Sequence, residues 1–179
     1  MANNIIKVAL VLACIIVGYL CYDTVADTMR YRAQVKTVEA DIIKRMTEIK
    51  EAQFAYREAY GEFAKSFDSL IYGVKHGKIP EVKQVGELVD STSKVETDTL
   101  YVPILEALKD KIKSPLDSLR YVPHSNKVQF SMNAGTITKN QVPLKVFEVE
   151  DPKPLNKERA LRLGSMSDAI YTGNWEKQE

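Results

Sequence analysis

The chain is short of the residues that most often carry chemistry. Its 179 residues include two cysteines, two histidines and one tryptophan. Cys14 and Cys21 are seven positions apart on one helical face, a separation that rules out a bridge between them. No cysteine follows, so no disulfide framework holds the rest of the chain together. Charge of one sign is also missing. Lys and Arg number 25 against 24 Asp and Glu, a net charge of +1, so no bulk field draws nucleic acid. His76 and His124 have no acid, cysteine or second histidine at ligand spacing, which leaves no metal site to nominate. Ser114, Ser165 and Ser167 lack the context of a nucleophile elbow. Gly61, Gly73 and Gly77 do not make a phosphate loop. Glu148, Glu150 and Asp151 could form a carboxylate cluster, but they read more simply as the wet face of a strand. The expectation is a protein with no catalytic residue, cofactor or metal, and no evident small-molecule substrate.

Proline and glycine are absent from Asp23 to Tyr60, and charge is absent from Val8 to Tyr22. Ile5–Tyr22 supplies 18 residues for a bilayer span that needs about 20, with a lower limit near 17. Lys7 is close enough to its end to snorkel into the headgroups, and Thr24, Val25 and Ala26 can lengthen it. The expected anchor residues are Val8, Leu10, Leu12, Ile15, Ile16 and Leu20. A cleaved signal peptide is the competing reading, with Lys7 as the basic region and cleavage after Thr24-Val25-Ala26. The helical pattern crosses that site with no breaking residue, which favours an uncleaved anchor. Lipoprotein processing at Cys14 or Cys21 fits less well, because Leu12 and Leu20 stand at poor positions. For orientation, Arg30, Arg32 and Lys36 outnumber Lys7 and would hold the following domain inside. Asp23 and Asp27 come first, however, and short N-terminal tails commonly stay inside. The favoured layout is a single-pass protein of a bacterial inner membrane with its C-terminal domain in the periplasm.

Past the anchor the apolar rhythm is helical. Val35, Ile42, Ile49 and Tyr56 recur at seven, and Val38, Ala52 and Ala59 fill the companion positions, with Arg45 as the exception. Val25, Met29 and Met46 widen the stripe. Val35, Val38, Ile42, Ile49 and Tyr56 are the expected packing residues. From about Ile42 onward the aromatics Phe54, Tyr56, Tyr60 and Phe63 suit a core better than a coiled-coil seam, whereas Met29 to Val38 can face a partner. Tyr60-Gly61 is the expected stop. A short helix follows, capped by Ser66 and ended by Gly73, Gly77 and Pro80. Glu81–Thr99 reads as a polar, weakly patterned connection with Asp90-Ser91-Thr92-Ser93 as its loop, and Val102–Ile112 as another short helix. Leu119–Pro123 and Lys127–Asn133 flank the turn His124-Ser125-Asn126. With Thr136–Thr138 and Val142–Glu150 they predict an antiparallel meander of three or four strands.

The fold class is therefore α+β: a transmembrane helix continuous with a long amphipathic helix that packs on a small antiparallel β-sheet. The expected divisions are an anchor at 1–22, a spine helix at 23–60, a small domain at 61–155 and a tail at 156–179. After Pro152-Lys153-Pro154 the tail reads as loosely ordered or as a docking segment, with Trp175 its candidate docking residue.

This order of elements resembles a type IV pilin or type II secretion pseudopilin. So does the text Ile49-Lys50-Glu51-Ala52-Gln53-Phe54-Ala55-Tyr56-Arg57-Glu58-Ala59-Tyr60-Gly61-Glu62-Phe63 followed by Ser66-Phe67-Asp68-Ser69-Leu70. Val142–Glu148 and the ending Gly173-Asn174-Trp175-Glu176 also resemble single-pass envelope proteins of Bacteroidota-type bacteria. The chain departs from prepilins in Met1–Lys7, which offers no glycine before the apolar run, no phenylalanine after it and no glutamate further in. The resemblance thus implies a pilin-like fold without the peptidase site and without ordinary filament assembly. Two functions follow as expectations. One is a non-catalytic, membrane-anchored structural or assembly protein of a periplasmic envelope complex. The alternative is an accessory subunit of a larger inner-membrane secretion, motility or transport machine, docking through its tail. Expected partners are the lipid bilayer and other envelope proteins, including further copies of this chain as a homo-oligomer, and not nucleic acid. A ligand-binding module is an outlying third reading that would require a closed apolar pocket.

Overall fold

A helix free of proline, with its only glycine at Gly18, has nothing to interrupt it, and α1 runs from Ala2 to Tyr60. The computed structural model describes residues 2–85, 96–156 and 159–176. Thr24, Thr28, Thr37 and Thr47 sit within α1 without breaking it, because each hydroxyl donates to the carbonyl four residues back at 2.9–3.0 Å. The helix ends as its sequence predicts. Gly61 takes φ +77° and its N–H closes on the Arg57 carbonyl at 2.7 Å. The chain forms two compact units, Met1–Ala40 and Asp41–Glu179.

In the second unit, α1 contributes Ile42, Met46, Ile49, Ala52, Gln53 and Ala55 to the core. The turn after Gly61 is fastened by Gln53, which is fully buried. Its Oε1 accepts the Ala64 N–H at 2.9 Å and its Nε2 donates to the Ala64 carbonyl at 3.0 Å. Helix α2 (Phe67–His76) starts at Ser66, whose Oγ accepts the Ser69 N–H at 3.2 Å. Phe67, Leu70, Ile71 and Val74 form its buried stripe.

Two expectations are corrected next. The connection read as polar and weakly patterned contains an antiparallel ribbon, β1 (Lys78–Val85) on β2 (Glu96–Pro103), in register from Lys78↔Pro103 to Val85↔Glu96. Valine and threonine at 82, 85, 97, 99 and 102 supply strand propensity without the apolar alternation that makes a strand visible in a sequence. The expected loop 90–93 lies outside the described residues. The helix expected at Val102–Ile112 shrinks to one turn, α3 (Ile104–Ala107), because Val102 and Pro103 belong to β2. Ile104 and Leu108 still face inward, and turns rather than helix carry the chain to Ile112.

The second sheet has the order β3-β4-β5. Strand β3 (Ser131–Lys139) runs through Gly135 as one strand and pairs with β4 (Val142–Glu150) over nine positions. Asn140 and Gln141, both at positive φ (51° and 65°), make the two-residue hairpin turn that right-twisted strands prefer. Pro143 is tolerated because β5 (Arg162–Gly164) pairs β4 only at Glu148–Glu150, leaving an open edge beside the proline. The strand expected at Leu119–Pro123 is reduced to a bridge, Tyr121↔Gln129, around a turn with His124 and Lys127 at positive φ.

The expected boundary at 155/156 also moves. Residues 159–176 are part of the domain, not a separate tail. They provide β5, a second bridge from Leu163 to Gly173, and Tyr171, which joins Phe54, Phe63 and Phe147 in one aromatic cluster with ring centroids 4.7–6.3 Å apart. Gly164 has φ +76° where a Cβ would strike the Phe147 carbonyl, so the sheet closes there only with glycine.

Candidate functional site

Every side chain from Ala9 to Val25 is exposed, among them Leu10, Leu12, Ile15, Ile16 and Leu20 at 53–64 %. The side chain of Val8 lies outside the described residues. A helix of this length would normally bury an apolar stripe if it served a water-soluble core. This one leaves leucine, isoleucine, valine and tyrosine uncovered on all sides, the surface that hydrocarbon solvates. Among the described residues it is the one helix long and apolar enough to cross a membrane. Cys14 and Cys21 are unbridged and exposed within it.

The five expected packing residues divide along α1. Val35 and Val38 are half-buried, Ile42 and Ile49 are buried, and Tyr56 is half-buried. Burial, and after it the neighbouring Tyr60 and Glu62, raise the Tyr56 phenol above its ordinary value. Arg45, the break in the heptad, proves to be a tie. Its guanidinium donates to the Ser118 carbonyl and to Ser118 Oγ (3.1 Å), and its Nε lies 3.7 Å from Oε2 of buried Glu48. Oε1 of Glu48 accepts the Lys113 N–H at 3.3 Å, and its Oε2 makes no hydrogen bond. Arg45 and Glu48 are i,i+3 neighbours on α1, but their link to segment 113–118 through Ser118 and Lys113 had no signature in the sequence, where a charge inside an apolar repeat reads as an exception.

Tertiary structure also gives His124 an acid that spacing did not show. Its Nε2 is 2.7 Å from Asp41 Oδ2, and both groups are about half exposed. His76 packs against Tyr72 with ring centres 4.5 Å apart. Among the described residues no three His, Cys, Asp or Glu side chains gather as metal ligands. Glu148 accepts the Met166 N–H at 3.2 Å, Glu150 faces Arg162 at 3.7 Å, and Asp151 is buried and accepts the Lys153 N–H at 3.0 Å. These three carboxylates therefore do not form one cluster. Trp175 is half-buried with its indole lying against Gly173.

Among the described residues of the second unit are several open grooves, of which three bear on the expected sites. The first, about 590 Å3, is apolar and lined by Leu105, Leu108, Ile112 and Leu116. The second, about 270 Å3, is polar and lies beside Asp41, Lys44, Arg45 and His124. The third, about 530 Å3, is lined by tyrosines of α1 and α2. None is enclosed. No protein family, curated protein or solved structure matches this chain. The class defined by the fold is thus a coarse one: an α+β protein with one candidate membrane-spanning helix ahead of small antiparallel sheets.

Proposed function

We propose that the chain is a non-catalytic, membrane-anchored structural or assembly protein of the bacterial envelope, pilin-like in layout, with its domain in the periplasm. One observation carries this reading. The helix that leaves apolar side chains uncovered on every side from Ala9 to Val25 is the same helix that supplies Ile42, Met46 and Ile49 to the domain core. A helix that belongs to both units suits a subunit whose domain acts at the membrane. Membrane fractionation with an alkaline wash tests it. The wild-type chain should stay in the pellet, and placing arginine at both Leu12 and Ile16 should release it. Release of the wild type by the wash would overturn the anchor. Alkaline phosphatase fused to the C-terminus reports orientation, since it is active only outside the cytoplasm.

The accessory-subunit reading has a narrower support, the half-exposed Trp175 near the end of the chain. Its clean test is Trp175→Ala, not removal of Gly173–Glu179, because Gly173 bridges Leu163 and the Asn174 side chain holds the Arg162 N–H and the Ala160 carbonyl. Purification in mild detergent should recover partners at fixed ratio with the wild type and lose them with the variant. A lone monomer from the wild type would count against both readings.

A further inference from the structure

The text Tyr60–Leu70 divides cleanly once folded. Phe63, Phe67 and Leu70 fill the core, while Tyr60, Asp68 and Ser69 are left out of it. Those three residues, with Tyr56, Tyr72 and Gly73, line the open groove of about 530 Å3, a volume in the range of small-molecule sites. Gly73 stands inside α2, where glycine costs stability relative to alanine. A Cβ there would run into the Tyr56 ring and touch that of Tyr60, so its absence lets both rings lie against the helix. The two rings sit 4.5 Å apart at 34°, and Tyr60 and Tyr72 remain 47 % and 66 % exposed. Asp68, 83 % exposed, meets Arg120 Nη2 at 2.8 Å, and Ser69 Oγ lies 3.0 Å from Ser66 Oγ.

The geometry points to this groove as a binding site for a neutral oligosaccharide. Tyrosine joins an apolar ring face to a polar tip, and a pyranose likewise joins a C–H face to a rim of hydroxyls. The sugar rings stack on Tyr60 and Tyr72. Its hydroxyls exchange hydrogen bonds with the phenols, the Ser69 hydroxyl and the Asp68–Arg120 pair, which together supply donors and acceptors side by side. That mixed rim favours a polyol over a proline-rich peptide, which also uses aromatic grooves but offers few donors. The site is independent of the anchoring role, and either can fail without the other.

The test is calorimetric titration of the full chain, held in a detergent without a sugar headgroup, with chitotetraose, cellotetraose and maltotetraose, and with decaproline as competitor. At least one tetrasaccharide should bind saturably, and the choice among them separates an N-acetylated glycan from a glucan. Tyr60→Ala and Tyr72→Ala should each weaken binding by about tenfold. The matching phenylalanine variants should retain part of it, because the ring face remains. Both tyrosines are exposed, so these changes leave the core intact, and circular dichroism verifies it. Binding by no tetrasaccharide, affinity unchanged in both alanine variants, or decaproline bound in place of sugar would each overturn the proposal.

Discussion

Gln53 occupies the side of α1 that otherwise carries hydrophobes, and it is as buried as they are. Its amide replaces the pairing that the Ala64 backbone would have found in a sheet, and satisfies a donor and an acceptor that the turn would otherwise bury unpaired. Gln53→Ala should therefore cost at least about 2 kcal/mol, since each orphaned buried group costs about 1–3 kcal/mol. Urea unfolding followed by circular dichroism measures the loss. Tyr56 gives a prediction in pH. Burial, then Tyr60 and Glu62, raise its phenol above 10.0, so the folded chain holds that proton more tightly than the unfolded one. The stability it contributes is complete below pH 10.0 and is lost as pH rises through the folded value. Tyr56→Phe should accordingly be less sensitive to alkaline unfolding than the wild type, and identical limbs for the two proteins would refute the sign. Neither role was visible beforehand. Gln53 reads in a sequence as a polar interruption, and Tyr56 as one more member of a stripe.

Among the elements, α1 was the most legible because its evidence is repetitive: an uncharged run, then a stripe at heptad spacing with no breaker before Gly61. Strand β4 was readable at Val142–Glu150, and β3 in part, since the alternation of Val128, Phe130 and Met132 with exposed neighbours enters it only at Met132, β3 starting at Ser131. The ribbon β1–β2 was not. Its residues show strand propensity but no buried face in the sequence, and pairing partners 11–25 residues apart have no local signal. The tie at Arg45 belongs to the same class, because Ser118 becomes its partner only when the 113–118 turn reaches α1, while Glu48 is its i,i+3 neighbour on the helix. Removing the cation alone should be severe. Arg45→Met leaves Glu48 buried without its counter-charge and should cost about 3 kcal/mol, whereas Arg45→Met with Glu48→Leu should recover most of that loss. Thermal unfolding of the single and double variants checks it. Equal destabilisation by the two would show that the pair is not what joins these segments.

At the scale of the whole molecule, the division of the chain falls at Ala40/Asp41 and not at the end of the apolar run. Deleting 2–40 should thus yield a soluble, folded monomer, since Ile42 and all later core residues of α1 are retained. Size-exclusion chromatography with circular dichroism decides this. Aggregation or loss of structure would mean that the first unit is needed for folding. The amino-acid order alone determined the helix, its membrane-compatible start, its stop at Gly61 and the α+β class, because these depend on runs, periods and caps that lie within one stretch of chain. Only the tertiary structure decided that residues 159–176 close the sheet, that Arg45 and Glu48 reach Ser118 and Lys113, and that Tyr56 and Tyr60 share a groove with Tyr72. Each of these joins residues from separate elements, and contacts of that kind have no period to read. They exist once burial brings the elements together and every buried polar group must find a partner.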